Sequence, residues 1–337
     1  MKRLRILAAA GVALLTLAAA AACGGDDRST LTVYSGRSES LVGPLLERYA
    51  DETGARVEVR YASTAELAST ILEEGGNSPA DVYFAQDAGA LGALAKERRL
   101  VALPQSILDL VDARFRSDDG RWVGISARAR VVAYNTNNVD PADLPASILD
   151  FTDPKWKGRI GWAPTNGSFQ AFVTALRLTQ GDAGARAWLE GIEANDPVAF
   201  DGNLPALVAV ASGELDVAFI NHYYLYQLRS ETDGNVDAAN YFLPGGDAGA
   251  LVNVAGAGIL DSADSSEEAE RFIEWLLTDE SQQYFASETH EYPIVDGVPA
   301  EAELVALRDI QTPAIDLSDL DDLEGTLELL RDTGVIP

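Results

Sequence analysis

Along the chain, apolar positions recur at a spacing of two over short runs and at three to four over longer ones, and the two patterns take turns. Residues 31–35 (LTVYS) read as a short strand. Residues 40–53 carry Leu41, Leu45, Leu46 and Tyr49 at helical spacing, with Gly54 as a stop. Pro44 lies inside that run, which predicts a helix starting late, near Ser40, so that the proline falls close to its beginning. RVEVRY (56–61) alternates as a strand should. STAELASTILEEGG (63–76) opens with Ser63 and Glu66 in capping-box spacing and closes in glycines. DVYFA (81–85) is a strand and GALGALAKE (89–97) a helix. Strand and helix in alternation predict a parallel α/β sheet.

The pattern changes at WVGISARARVVAYN (122–135), a long extended run that could cross between two lobes. A second α/β series follows: GRIGWA as strand, SFQAFVTALRLT, GARAWLEGIEAN and LPALVAVASGE as helices, and LDVAFI (215–220) as a buried strand. ALVNVAGAGIL (250–260) is a second extended run and a candidate return crossing. The C-terminal part reads as helical, in SEEAERFIEWLLTDESQQYFAS with a break at Asp279 and in LSDLDDLEGTLELLRDTG. Two α/β lobes joined by extended crossings make a hinged clamshell. Ligands of open α/β sheets bind beyond the carboxyl ends of the strands, and closure of two lobes traps them.

The first residues complicate this picture. Lys2, Arg3 and Arg5 precede an uninterrupted run of apolar and small residues that ends at Cys23, the only cysteine. That is the pattern of a secretory leader. Ala20, Ala21 and Ala22 before a lone cysteine are similar to a bacterial lipoprotein box, which implies cleavage before Cys23 and lipidation of its sulfur. Residues 1–22 are then the signal peptide and 23–29 the lipidated cysteine with a polar tether. The expected localisation is extracytoplasmic, with the membrane reached by the lipid anchor only. Loss of the three basic leader residues takes the net charge from −28 to −31. Such acidity argues against nucleic acid as a partner. One cysteine permits no internal disulfide, and the remaining three hundred or so residues suit two domains.

The sharpest chemical feature is FINHYYLYQL (219–228), where Tyr223 and Tyr224 stand side by side just past a buried strand. In a strand, adjacent side chains face opposite ways; in the first turn of a helix both can converge on one point. A free phenol titrates near pKa ~10. A bound hard cation stabilises its phenolate directly, and helix N-terminal amides add to this. Read alone, the pair is equally well two amphipathic aromatics at a lobe edge, with Tyr226 packing beside them.

DPKWKGRIGWAPTNGSF (153–169), ERFIEWLLTDESQQYF (270–285), NHYYLYQL (221–228) and EYPIVDGV (291–298) together resemble extracellular solute-binding proteins of ABC importers, and more narrowly their ferric-iron-binding, bacterial transferrin-like branch. The resemblance implies an α/β, two-lobed periplasmic-binding-protein (Venus flytrap) fold hinged by extended crossover strands. Lobe 1 is expected over 30–128 plus 254–304 and lobe 2 over 129–253 plus 305–337. It implies that Tyr223 and Tyr224 coordinate ferric iron. It also implies a synergistic anion (phosphate, carbonate or citrate) at Asn166, Gly167 and Ser168, with Asn203 and Asn221 as further contacts. Asn203 could equally cap a helix.

Two positions depart from the family pattern. Ser38 stands where relatives carry a histidine, and Gln86 where one branch carries a glutamate. Ser38, Glu39, Gln86 and Asp87 are therefore candidates for additional metal or cleft contacts. His222 reads as structural, His290 has no assigned role, and of Arg128 and Arg130 one could balance the phenolates or bind the anion, with an interlobe salt bridge as the equal alternative. The expected protein is a monomeric iron-capturing lipoprotein that delivers ferric ion to an ABC importer permease. The alternative keeps the fold and binds a small anionic or amine solute such as a phosphonate, sugar phosphate or polyamine. No enzyme is expected, because the chain has only two histidines and lacks the GxSxG, HExxH and Walker patterns.

Overall fold

The computed structural model describes residues 30–337. The leader, Cys23 and the tether lie outside the described residues. In chain order the elements are β1 (Thr30–Ser35), α1 (Glu39–Thr53), β2 (Arg56–Tyr61), α2 (Thr64–Glu74), β3 (Val82–Ala85), α3 (Ala88–Lys96), a single helical turn α4 (Gln105–Leu108), β4 (Val123–Asn135), β5 (Ile160–Trp162), α5 (Gly167–Glu193), β6 (Val198–Ala199), α6 (Asn203–Ala211), β7 (Val217–Asn221), α7 (Tyr223–Glu231), β8 (Ala238–Tyr241), β9 (Val252–Ile259), α8 (Ser266–Leu276), α9 (Asp279–Ser287) and α10 (Leu323–Asp332).

The molecule is two-lobed, and strand β4 belongs to both lobes. Its first half, Val123–Ala129, runs antiparallel to β9. Its second half pairs antiparallel with β7 on one side and β8 on the other. The first lobe thus carries the order β2-β1-β3-β9-β4, and the second β8-β4-β7-β5-β6. Both crossings lie side by side, where Arg130 N donates to Leu251 O at 2.9 Å.

Within each lobe the βα units are parallel: β1 with β2 and β3, and β5 with β6 and β7. The βα strands are parallel as expected, and the crossings, running antiparallel to their neighbours, make the complete sheet mixed. A strand that leaves one lobe and returns must run against the βα strands beside it. β1, β3 and β7 lie inside their sheets, and β3 and β7 are buried throughout and read as near-continuous apolar runs, because helices or loops cover both faces. β2 is an edge strand, and its RVEVRY alternation matches one exposed and one half-buried face.

The Ser63 cap forms: its side chain accepts from Glu66 N at 3.2 Å, a contribution of about 1 kcal/mol. α1 begins at Glu39, so Pro44 falls beyond the first turn and deprives the Ser40 carbonyl of its intrahelical donor. The runs expected as two helices at 168–179 and 184–195 are joined in α5, with a break at Gly181, where φ is +72° and glycine is the residue that tolerates it. β6 and β8 were not predicted; they are short, β6 exposed and β8 half-buried apart from Ala238, so no apolar alternation announces them. Residues 317–334, expected to be helical throughout, form a 3₁₀ turn at Leu317–Asp321 and then α10. The turn packs on α3, where a Cβ at Gly89 would lie 2.6 Å from Leu320 O. α10 packs on α5, with the Thr174 and Thr326 hydroxyls 2.8 Å apart.

Candidate functional site

All five residues of β7 are buried, and the chain leaves it into α7 with one intervening residue, His222. Its Nδ1 accepts from Ala129 N at 3.2 Å, so Nε2 carries the proton and donates to His290 O at 3.0 Å. Its ring stacks on Tyr292 with centroids 4.7 Å apart. Burial pushes its pKa down to about 3, so the imidazole is neutral. His222 therefore anchors the hinge strand to the start of α7 and points away from the cleft.

Tyr223 and Tyr224 fill the first two positions of α7. Their ring centroids lie 4.3 Å apart at 33°, so the helical turn brings both phenols to one side. Tyr223 is fully buried and Tyr224 partly exposed. Burial, and then the neighbouring Tyr223, pushes the Tyr224 phenol well above its ordinary value, while Asn203 and Arg37 act the other way. Tyr226 points elsewhere, its hydroxyl donating to Glu303 O at 3.3 Å, in keeping with a packing role.

Facing the tyrosines from the first lobe is Gln86, at the end of β3. Its Nε2 lies 3.3 Å from Tyr223 Oη and 3.2 Å from Ser168 Oγ. Its Oε1 accepts from Arg37 Nη1 at 3.4 Å. Arg37 is fully buried and pairs with the equally buried Glu291 at 2.6 Å. Burial opposes the Arg37 charge, but Glu291 and the two phenols outweigh it and hold the pKa above its ordinary value.

Arg128 and Arg130, on the crossing strand, are buried as well. Arg128 Nη2 lies 3.5 Å from Ser168 Oγ, while its Nε and Nη1 have no partner. Burial and then Arg37 pull its pKa down. Arg130 donates to Phe219 O at 3.0 Å and lies over the Phe169 and Phe172 rings. Burial and then Arg128 lower its pKa to about 9. Among the ion pairs of the described residues neither arginine appears, so the salt-bridge alternative gives way to cations free to meet an anion.

The TNGSF turn stands at the head of α5. Asn166 Oδ1 accepts from Ser168 N at 3.0 Å, so this side chain caps the helix. Ser168 Oγ also meets Asn221 Nδ2 at 3.0 Å. Three donors from Asn221, Gln86 and Arg128 thus surround one hydroxyl that has two lone pairs. Gly167 faces the other lobe, where an added Cβ would lie 2.7 Å from Asp87 Oδ2. Asn203 does not cap α6, since that position is Gly202; its amide is buried, with neither Nδ2 nor Oδ1 bonded.

The remaining candidates separate. Ser38 lines a cavity of about 320 Å³ together with Arg37, Tyr61, Gln86, Asn166 and Tyr224. Glu39 instead lines a distinct groove between α1 and β2. Asp87 is buried and caps α3, accepting from Ala90 N at 3.0 Å. Burial raises its pKa to about 6 against the pull of Arg128. Arg37 and Glu291 were missed by sequence reasoning. Arg37 lies just past the carboxyl end of β1, where open α/β sheets bind ligands, and that position was the available signal. Glu291 follows helix α9, and no local pattern marks it. Among the described residues, no three His, Cys, Asp or Glu side chains converge as a metal cage.

The chain matches the family profile of bacterial extracellular solute-binding proteins over residues 65–320. It is 31% identical to the Fe(3+)-binding periplasmic protein of Serratia marcescens, covering 99% of this chain and 100% of that protein. It is 34% identical to the major ferric iron-binding protein of Neisseria meningitidis serogroup B, covering 95% and 97%. Among solved structures, iron-bound HitA from Pseudomonas aeruginosa superposes with a TM-score of 0.86 at 37% identity, covering 90% of this chain and 99% of that one. The Trichodesmium IdiA (FutA) structure in complex with iron and citrate superposes at 0.74 with 29% identity, covering 91% and 99%. With the paired phenols, the crossing strands and the two βα lobes in place, the chain belongs to the bacterial extracellular solute-binding protein family.

Proposed function

We propose that the protein captures ferric ion, together with an exogenous anion, in the cleft between its lobes and delivers it to an ABC importer permease. The observation that carries this reading is the Tyr223–Tyr224 pair, two phenols with ring centroids 4.3 Å apart facing a donor-rich cleft. Ferric ion is a hard acid that favours anionic oxygen, and it lowers a phenol's pKa by stabilising the phenolate. The raised pKa of Tyr224 means that the proton leaves when the metal arrives. Binding is therefore coupled to proton release.

The case for an anion is electrostatic. At the cleft Arg37, Arg128 and Arg130 outnumber the buried carboxylates Glu291 and Asp87, the third buried carboxylate, Asp81, being taken up by Thr32 N and Ser265 N at the start of β3, and four guanidinium nitrogens of these arginines have no partner. Ser168, Asn221 and Asn203 add polar atoms around the same region, and Asn166 with Gly167 turns the chain there. Phosphate, carbonate or citrate would complete the iron coordination and meet these donors. The cationic cleft disfavours a polyamine. It would suit an anionic solute such as a phosphonate or sugar phosphate without metal, and this is the second reading.

Extracytoplasmic location follows from the leader reading, with membrane attachment through a lipidated Cys23 and the protein otherwise a soluble monomer. The mature protein exposed to ferric citrate, or to ferric ion with carbonate, is expected to develop a visible phenolate-to-iron band. A protein that stays colourless with every anion, and shows ferric binding by calorimetry with none, would overturn the iron reading. Heat released on titrating phosphate or a sugar phosphate into that colourless protein would instead establish the second one.

A further inference from the structure

The orientation of the Gln86 amide is decided by what faces it. A guanidinium has only donors, so the Gln86 atom 3.4 Å from Arg37 Nη1 is the oxygen. The NH₂ group is thereby turned toward the second lobe, to Tyr223 Oη at 3.3 Å and Ser168 Oγ at 3.2 Å. Arg37 cannot easily move: Glu291 Oε2 holds it at 2.6 Å, and Thr289 Oγ1 holds that same carboxylate oxygen at 3.1 Å. The backbone of Gln86 is fixed as well, its N–H donating to Thr64 Oγ1 at 3.2 Å. The only Gln86 atom able to ligate a metal is Oε1, and Arg37 engages it.

We propose that Gln86 is a hydrogen-bonding latch between the lobes and not a metal ligand, and that the buried Arg37–Glu291 pair is the positioning element that aims its amide N–H groups at Tyr223 and Ser168. One amide then does two things. It draws the head of α5 against the first lobe, and it donates to the Tyr223 oxygen, the atom that would meet a metal in the cleft. The second effect rests on the ferric reading given above. The first rests on the geometry of the metal-free protein alone.

The test compares wild type with Gln86→Leu and with the double variant Arg37→Met/Glu291→Leu. Removing both charges avoids stranding a buried carboxylate, which would unfold a single variant. Small-angle scattering of the metal-free proteins reads the latch. Both variants should have a larger radius of gyration than wild type, and the triple combination should add little. The visible band of the ferric-loaded proteins reads the aim. Loss of the donor raises the energy of the phenolate electrons, so both variants should stay coloured with the band moved to longer wavelength. Ferric affinity should fall roughly tenfold to a hundredfold. Loss of the band in Gln86→Leu would make the amide oxygen a ligand and overturn the proposal. Unchanged radii in both variants would overturn it as well. A colourless wild type would sink the ferric reading, while the metal-free scattering would still decide the latch.

Discussion

Asn221 Nδ2 donates to Ser168 Oγ across 3.0 Å, tying the last residue of the strand that presents the tyrosines to the first turn of α5. Two elements fifty-three residues apart in sequence are thus held in one register at the cleft. The same hydroxyl receives Gln86 from the opposite lobe, and the same amide reaches Tyr223 Oη at 3.3 Å, so one side chain of the first lobe meets both the candidate anion loop and the tyrosine helix.

Tyr223→Phe and Tyr224→Phe should each remove a phenolate ligand with little change in packing. Ferric affinity should drop by a factor of 100 or more, on the order of 3 kcal/mol. The visible band, followed during ferric citrate titration, should be lost in the double variant and weakened in each single one. Tyr226→Phe, outside the cleft, should titrate as wild type does.

Gly167 is a point of close approach between the lobes. A Cβ there meets Asp87 Oδ2 at 2.7 Å and the Thr64 side chain at 3.4 Å. Gly167→Ala should hold the cleft open, enlarge the radius of gyration and weaken ferric capture by at least about tenfold. Opening the cleft also separates Gln86 from Ser168 and Tyr223, so the metal-free protein should lose about 0.5–3 kcal/mol of unfolding free energy.

Asn203 buries an amide with neither polar atom bonded. A buried unsatisfied group costs about 1–3 kcal/mol. Asn203→Leu should therefore leave the metal-free protein as stable or more stable by thermal unfolding, while weakening binding that depends on an added anion. A variant that melts lower and binds normally would show that Asn203 serves the fold and not the ligand.

Two buried groups give opposite pH slopes. The Asp87 carboxyl is raised to about 6, so the native state holds its proton longer than the unfolded chain. Its contribution is present below about pH 4 and is lost as pH rises through 6. The His222 imidazole is depressed to about 3, so its contribution is present above about pH 6.5 and is lost as pH falls toward 3. Denaturant unfolding between pH 4 and 7 should show the two partly cancelling in wild type. Asp87→Asn, which keeps a capping side chain, should make stability rise more steeply with pH. His222→Gln should make stability fall with increasing pH over the same window.

Much of the architecture was legible along the chain. The helical spacing of Leu41, Leu45 and Tyr49, the Ser63 cap and the buried runs at β3 and β7 are local facts, set by periodicity and by hydrogen bonds between near neighbours. The paired tyrosines were legible for the same reason, since a strand end followed by adjacent aromatics is a local pattern. The antiparallel crossings were legible as long extended runs but not in their direction, because a strand's sequence does not state which neighbour it will pair with. β6 and β8 escaped because strands of two and four residues are too short to carry an apolar alternation.

The sequence by itself determined that two phenols would stand together just past a buried strand. Only the tertiary structure decided what surrounds those phenols. Arg37, Gln86 and Glu291 come from three separate parts of the first lobe, and Arg128 comes from the strand that joins the lobes. They meet because β1, β3 and β4 end or cross at the same edge of the cleft and because the segment after α9 folds back over it. Burial then makes these charges depend on one another, and that dependence exists only where long-range contacts have excluded water.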